Sequence, residues 1–426
     1  MLQLNFIREE RQRVEAGLRK RNWTDAQIEV IGQVIALDDQ RRKNQAEYDN
    51  LKGESNQIAK KIGILMQQGE RGEADALRVK VTADKETLKN LEANANEIAE
   101  KLENLLYSIP NIPNETVPHG KTPDDNEIYQ PHVGALPVLP EGAKPHWELA
   151  DQYGIFDLAL GVKIAGAGFP VYRGKGARLQ RALINFFLDE AIKAGYEEVQ
   201  PPHLVNEASA RGTGNLPDKE GQMYHATVDD LYLIPTAEVP VTNIWRDVIL
   251  AESDFPVKAT AYTPCFRREA GSYGAHVRGL NRVHQFDKIE IVQIAHPDQS
   301  YDRLQEMLAH VSQLLEKLEL PYRILKLCGG DMGFTSALTY DFEVWSAAQE
   351  RWLEVSSTSN FETYQTNRLK ARFRDADGKI RLAHSLNGSA LALPRIVASL
   401  LENHQTPEGI RIPKALQSYF GAAILD

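Results

Sequence analysis

Residues 266–290 read FRREAGSYGAHVRGLNRVHQFDKIE. Its two ends belong to AYTPCFRRE and HQFDKIEIVQI, whose β-branched and aromatic content predicts two strands around a long loop. Strands flanking long loops, rather than strictly alternating βαβ units, predict an α+β fold with a largely antiparallel sheet. Read as strand, Arg267 and Glu269 project to one face. The pair is open to two readings, a plain salt bridge or part of a ligand site. The loop favours the second. Gly271, Gly274 and Gly279 permit close backbone approach to a ligand. Arg278 and Arg282 add cations suited to clamping planar or tetrahedral anions. Phe286 offers a ring face for stacking, and Glu290 continues on the face of Phe286 and Lys288. The set fits a phosphate, a purine ring and a cationic small molecule.

Other polar stretches supply further parts. IPTAEVP sets Thr236 and Glu238 in a Pro-flanked segment that reads as extended. EVSSTSN offers Glu354, Ser356, Ser357 and Thr358, oxygen donors of the kind that hold Mg²⁺ together with phosphate and water. SLNGSALALPR places Asn387, Gly388 and Ser389 in an expected turn, followed by Arg395 at the opening of an apolar helix. A buried Arg there is costly unless it meets an anion. His276, His284 and His384 are scattered and read as structural.

Around these parts, ARLQRALINFFLDEAIKAGY and YDRLQEMLAHVSQLLEKLEL have apolar residues at helical spacing, the first stopped by Gly195. YDFEVWSA and RWLEVSSTSNF predict a hairpin. The first hundred residues differ in kind. No proline occurs before Pro110, and Leu77, Val81, Asp84, Leu88, Leu91, Ala95, Ile98, Leu102 and Leu105 alternate spacings of four and three. That is a heptad seam with one polar member. A looser seam (Tyr48, Leu51, Ser55, Ile58, Ile62, Leu65) precedes it, and QQGERGEAD lies between, with Gly69 and Gly72 as expected breakers. Two such helices predict an antiparallel hairpin, with arms on the order of 50 Å. It suits a dimerisation coiled coil or packed bundle as well as a partner-binding arm. The Pro- and Asn-rich stretch YSIPNIPNETVPHGKTPDDN reads as a linker, dividing the chain into 1–110 and 111–426.

The chain of 426 residues has a net charge of −10 and two cysteines without metal-ligand spacing. This composition predicts a cytoplasmic globular protein with no signal peptide and no membrane span. It does not advertise nucleic-acid binding, so any such partner must be argued from local position. GFPVYRGKGA has Gly176 where a P-loop requires Ser or Thr, and GAGFPV lacks the third Gly of a dinucleotide fingerprint. Neither H-E-x-x-H nor C-x-x-C occurs.

Taken in order, GYEEVQPPHLVNE (about 195–206), the segment at 266–290 and NGSALALPR (opening about 387–402) resemble the three motifs of the class II aminoacyl-tRNA synthetases. KPHWELADQYGIFD, PTAEVP and the helical hairpin resemble the bacterial-type seryl branch, and the resemblance covers essentially the whole chain. It implies activation of L-serine by ATP and transfer to the 3′ end of tRNA(Ser), by family analogy also tRNA(Sec). It implies a homodimer, with the first motif at the interface and the hairpin reaching the tRNA's long variable arm. Mg²⁺ is the implied metal, held by Glu354 and Ser357. Arg267 and Arg395 are the implied catalytic residues. Arg267 would contact the α-phosphate and serine carboxylate, while Arg282 and Arg395 hold the γ-phosphate end of ATP. Glu269 and Phe286 would take adenine, and Arg268, Val283, Val355 and Ser356 complete the ATP site. Thr236, Ala237, Glu238, Glu290, Asn387 and Ser389 would form the serine pocket. Pro394 stands where family members often have Gly. Two alternatives are a relative that loads a carrier protein and a catalytically silent RNA-binding paralogue.

Overall fold

The computed structural model describes residues 1–269 and 278–426. Gly271, Gly274 and His276 lie outside the described residues. The chain forms two compact units. One comprises Leu2–Arg19 and Trp23–Pro110; the other comprises Met1, Lys20–Asn22 and Asn111–Asp426. Arg21 belongs with the second because its guanidinium donates to the carbonyls of Asn111, Met332, Gly333 and Ser336.

The first unit is helical. Three short helices, Leu4–Glu9, Arg11–Lys20 and Asp25–Ile28, precede two long ones, α1 (Val30–Gln68) and α2 (Arg71–Ser108). At about 1.5 Å per residue, α1 is about 58 Å long. Gly69 ends it in the left-handed region at φ 83°, which costs glycine little. Gly72, an expected breaker, instead lies inside α2: one helical glycine costs only about 1 kcal/mol. Every residue of both seams is buried or half-buried. The buried amide of Asn44 fixes their register: its Nδ2 donates to Leu91 O at 2.9 Å, and the exposed Asn94 Nδ2 donates to its Oδ1 at 2.9 Å.

Asp84, the polar member of the α2 seam, is 8% exposed, and its Oδ2 has no hydrogen-bond partner among the described residues. Burying a carboxylate without full pairing is unfavourable. Asp84→Leu is therefore expected to stabilise the hairpin by about 1–2 kcal/mol. Slower amide exchange along α2 would show it; faster exchange would refute it.

The second unit is built on an eight-stranded sheet. Its strands are β1 (Glu127–Val133), β2 (Glu197–Glu198), β3 (Val257–Phe266), β4 (Gln285–Ala295), β5 (Tyr322–Lys326), β6 (Leu338–Ser346), β7 (Arg351–Glu362) and β8 (His384–Ala392). Their order is β1-β5-β6-β7-β8-β4-β3-β2. All pairs are antiparallel except the two-residue edge strand β2, which runs parallel to β3. The helices that bear on the site are α3 (His146–Tyr153), α4 (Gly174–Lys193), α5 (Glu238–Thr242), α6 (Ser300–Lys317), α7 (Thr363–Leu369) and α8 (Leu393–Asn403).

Strand β4 shows how the sheet divides core from site. Ile289 and Ile291 join a cluster with Leu183, Phe186, Leu304 and Met307, from α4 and α6. Val292 belongs to a separate small cluster with Ala237, Val241, Ala259 and Ala261. Alternation along the strand puts Lys288 and Glu290 on the same side as Val292. The small side chains Ala259 and Ala261 leave room there for the segment carrying Ala237 and Val241.

Three local expectations are corrected. Glu238 opens helix α5 rather than lying in an extended segment. Asn387, Gly388 and Ser389 lie within β8, between β7 and β4, not in a turn. Strand β3 ends at Phe266, and Glu269 has φ 48°, so Arg267 and Glu269 do not share a strand face.

Candidate active site

The site assembles from β4 outward. Glu290 is opposite Ser389 in the β4–β8 register, and Val292 is opposite Asn387. Paired residues share a face, so both β8 side chains sit beside Glu290. Thr236, on the segment entering α5, donates its hydroxyl to Glu290 Oε2 at 3.2 Å. Lys288 Nζ donates to Thr236 Oγ1 at 2.8 Å and lies 2.5 Å from Glu290 Oε2. Thr236 Oγ1 also accepts the N–H of Glu238 at 3.2 Å. Lys288 and Glu290 are 5% and 1% exposed, so this ion pair is shielded from solvent.

The second carboxylate of the pocket is Glu238. Gln365, from α7, donates Nε2 to Glu238 Oε1 at 2.6 Å, and Ser385 Oγ fixes that amide by donating to Gln365 Oε1 at 2.8 Å. Burial, with the nearby Glu290 charge, pushes the Glu238 carboxyl up to about 7, despite the opposing pull of Lys288 and Arg267. Lys288 and Gln365 are absent from the sequence-based set: Gln365 meets Glu238 only across 127 positions, and Lys288, though two residues from Glu290, meets Thr236 across 52. The strand alternation of DKIE was the signal available for Lys288.

The 266–290 segment supplies the neighbouring wall. Backbone bonds tie Phe266 N–H to Ile234 O and Arg267 N–H to His284 O, both at 2.9 Å. Arg267 lies 5.3 Å from the centroid of the Phe286 ring and donates Nε to Pro235 O at 3.3 Å. Glu269 accepts from Arg282 Nη1 at 2.7 Å, so the ion-pair partner of Glu269 is Arg282 and not Arg267, against the less favoured of the two readings of that pair. Arg268 is exposed, and Val283 is buried. Arg278 stacks on Trp147 at 4.7 Å. His284 bonds Tyr224 and His384 bonds Ser300.

Strand β7 contains the third group. Phe342 pairs with Ser356 but Glu343 pairs with Glu354, leaving Val355 as an extra residue. Residues three apart on a regular strand face opposite ways; a bulge reverses that. Glu354 and Ser357 consequently line one cavity, of about 610 Å³, with Arg282, Asp341 and Glu343. Ser356 points elsewhere and donates to Ser389 O at 2.6 Å. Val355 is buried, as is Thr358. Asp341 was missed by sequence reading. Burial and the Glu354 charge raise its carboxyl well above the usual range, and its Oδ1 has no partner among the described residues.

Arg395 lies in the first turn of α8, just behind Pro394, which is at the helix start where its missing N–H costs nothing. Its side chain is half-buried, at 26% exposure. It donates Nε to Asn281 O at 3.0 Å and Nη1 to Glu354 O at 2.6 Å.

Two groups therefore emerge. Thr236, Glu238, Lys288, Glu290, Asn387 and Ser389 form a buried polar pocket with two carboxylates. Arg282, Glu354 and Ser357 line the cavity, Arg395 is bonded to Glu354, and Arg267 with Phe286 adjoins the pocket. The first group suits an ammonium and a hydroxyl; the second suits a polyphosphate and a hard cation.

Residues 1–113 match the seryl-tRNA synthetase N-terminal domain, and residues 223–404 match the class II tRNA synthetase core domain (G, H, P, S and T). The serine–tRNA ligase of Salinibacter ruber is 49% identical over 99% of both chains. The seryl-tRNA synthetase of Pyrococcus horikoshii, solved in complex with ATP, superposes with a TM-score of 0.92 at 34% identity, covering 100% of this chain and 99% of its own. The cytoplasmic serine–tRNA ligase of Naegleria fowleri, in complex with AMP, gives 0.87 at 26% identity, with coverage of 100% and 99%.

Proposed function

Because the chain belongs to the seryl-tRNA synthetases of class II, ATP-dependent ligases that join serine to tRNA, we propose that the two residue groups divide the reaction between them. The observation that carries this is the Lys288–Thr236–Glu290 cluster beside Glu238, with Arg267, over the Phe286 ring, near enough for its charge to act on Glu238. The serine ammonium and hydroxyl meet Glu238, Glu290 and Thr236, with Ala237, Asn387 and Ser389 closing the pocket. A serine carboxylate oxygen then bonds to the α-phosphorus of ATP as the bond to the β-phosphate oxygen breaks, and pyrophosphate leaves. Two anions approach one another in this step, so Arg267 offsets the repulsion and fixes the line of attack. Phe286 and Glu269 take adenine, and Arg282 and Arg395 take the γ-phosphate, which requires the Glu269–Arg282 pair to separate. A 3′-terminal hydroxyl of the tRNA next attacks the carbonyl carbon and AMP departs.

Glu354 and Ser357 fit a Mg²⁺ ion that completes its shell with phosphate and water. The bulge at Val355 aims them at one cavity, and two protein oxygens are the number such a shared site needs. Bound there, Mg²⁺ would neutralise phosphate charge. No helix among the described residues is long and apolar enough to cross a membrane. A cytoplasmic homodimer acting on tRNA(Ser), and on tRNA(Sec) where that tRNA exists, completes the proposal.

Pyrophosphate exchange measured with each amino acid tests the pocket. Serine alone should support it at full rate. Alanine should fail because the buried polar groups would be left unpaired. Equal exchange with alanine would refute the pocket.

The raised Glu238 carboxyl also gives a pH dependence. Serine's ammonium favours the ionised form, and the free pocket is half protonated near pH 7. The KM for serine is expected to fall about tenfold from pH 6 to pH 8, as that proton is lost. Glu238→Gln should bind weakly and flatten the profile. Stability has the opposite sign: a folded value raised above the unfolded one makes stability decline as pH rises from about 4.5 to about 7. Wild type should lose more Tm than Glu238→Gln across that window.

A further inference from the structure

The pair His146–Glu402 belongs to neither residue group, yet it grips the segment that runs into Arg282. Both side chains are fully buried. The N–H of Leu280 donates to His146 Nε2 at 2.9 Å. A nitrogen that accepts this bond carries no proton, so the proton is on Nδ1, which lies 2.7 Å from Glu402 Oε1 and donates to it. Glu402 also accepts the His146 backbone N–H at 3.0 Å, the Gln349 amide at 2.9 Å and the hydroxyl of Ser346. Burial would raise the Glu402 carboxyl, but the bonds from His146 and Ser346 hold it below the usual range. Gly279 has φ 69°, and a Cβ there would stand 2.2 Å from His146 Nε2, so the backbone rests directly on the imidazole.

The gripped segment leads to the phosphate-facing groups. The Leu280 N–H is held by His146, and the next carbonyl, Asn281 O, is held by Arg395 Nε at 3.0 Å. Asn281 Nδ2 donates to Gln349 Oε1 at 2.9 Å, and Gln349 returns to Glu402. Arg395 and Glu402 are seven residues apart on α8, two turns along one stripe of the helix. Arg282 follows Asn281 directly. The ring of bonds therefore closes through one helix, one hairpin turn and the stem of the 266–290 segment.

We infer that His146 and Glu402 form a positioning dyad for ATP: neutral His146 and ionised Glu402 fix residues 279–282 so that Arg282 and Arg395 face its phosphates. This rests on the assignment of those arginines to ATP in the proposed function. His146→Phe keeps a ring and removes the acceptor; His146→Gln keeps an acceptor for Leu280 and a donor for Glu402. In pyrophosphate exchange by the full chain, His146→Phe should raise the KM for ATP about tenfold and leave that for serine within about twofold. His146→Gln should return the ATP value to within about threefold of wild type. Gln349→Ala, at a half-buried hairpin turn, should raise it about threefold and keeps the test open if His146→Phe does not fold. An unchanged ATP KM in the folded His146→Phe, or in Gln349→Ala when only that variant folds, would overturn the dyad. So would equal losses toward serine and ATP, the signature of a merely structural role. Arg395→Ala, measured alongside, tests the underlying assignment. An unchanged ATP KM there would fault the role of Arg395 and leave the dyad to be judged on its own variants.

Discussion

Replacing Arg267 by Ala is expected to lower serine-dependent pyrophosphate exchange by about 10²- to 10³-fold, the usual cost of removing one preorganised group from a reacting centre. Arg267 adjoins the serine pocket and the ring proposed to take adenine. Its guanidinium lies over Phe286, and its charge reaches Glu238. The loss should fall on kcat and on kcat/KM together, because the repulsion it offsets is greatest as the new bond to phosphorus forms. Arg267→Lys should recover only part of the rate, since a single ammonium lacks the planar fork that spans two anions. Retention of exchange within about threefold in Arg267→Ala would remove the residue from the mechanism.

Shortening the helical hairpin should separate the two chemical steps. Tyr48 donates to Glu92 Oε1 at 2.7 Å, and Asn44 is bonded to Leu91 and Asn94, so register is set on the near side of residues 50 and 89. Removing 51–88 and joining the stumps through a short Gly-rich linker leaves these bonds in place. Pyrophosphate exchange should stay within about twofold of the intact protein. Aminoacylation of tRNA(Ser) should fall by about 100-fold or more, as the lost surface would have met the RNA through backbone and shape. Both assays on one preparation decide the matter, and undiminished charging would show that the hairpin serves another purpose.

How much of this was legible depended on where each determinant lies in the chain. The helical seams were readable because periodicity is a local property, and even Asp84 and Ser55 sit inward as their spacing required. Strands β3 and β4 were readable for the same reason. The errors came where distant neighbours override local preference. PTAEVP looked extended because of its prolines, but Pro240 is the third residue of α5, a first-turn position where its lost donor had no partner to lose. NGS looked like a turn, yet Gly388 lies in a central strand, where a Cβ would come within 2.9 Å of Thr358 Oγ1. Lys288, Gln365 and His146 were passed over because their roles come from partners brought up by the fold. His146 and Glu402 are 256 positions apart.

The extra residue at Val355 carries a consequence for how this strand can vary over evolution or in design. Along most of a sheet, substitutions matter more than length, and small changes are absorbed one side chain at a time. Here Glu354 and Ser357 face the same way only because β7 has one residue more than its partner. Deleting Val355 would keep both side chains and turn one of them into the sheet. Variation in this stretch is therefore constrained by residue count more than by identity, and a graft of EVSS onto a related scaffold carries its function only if the odd residue travels with it.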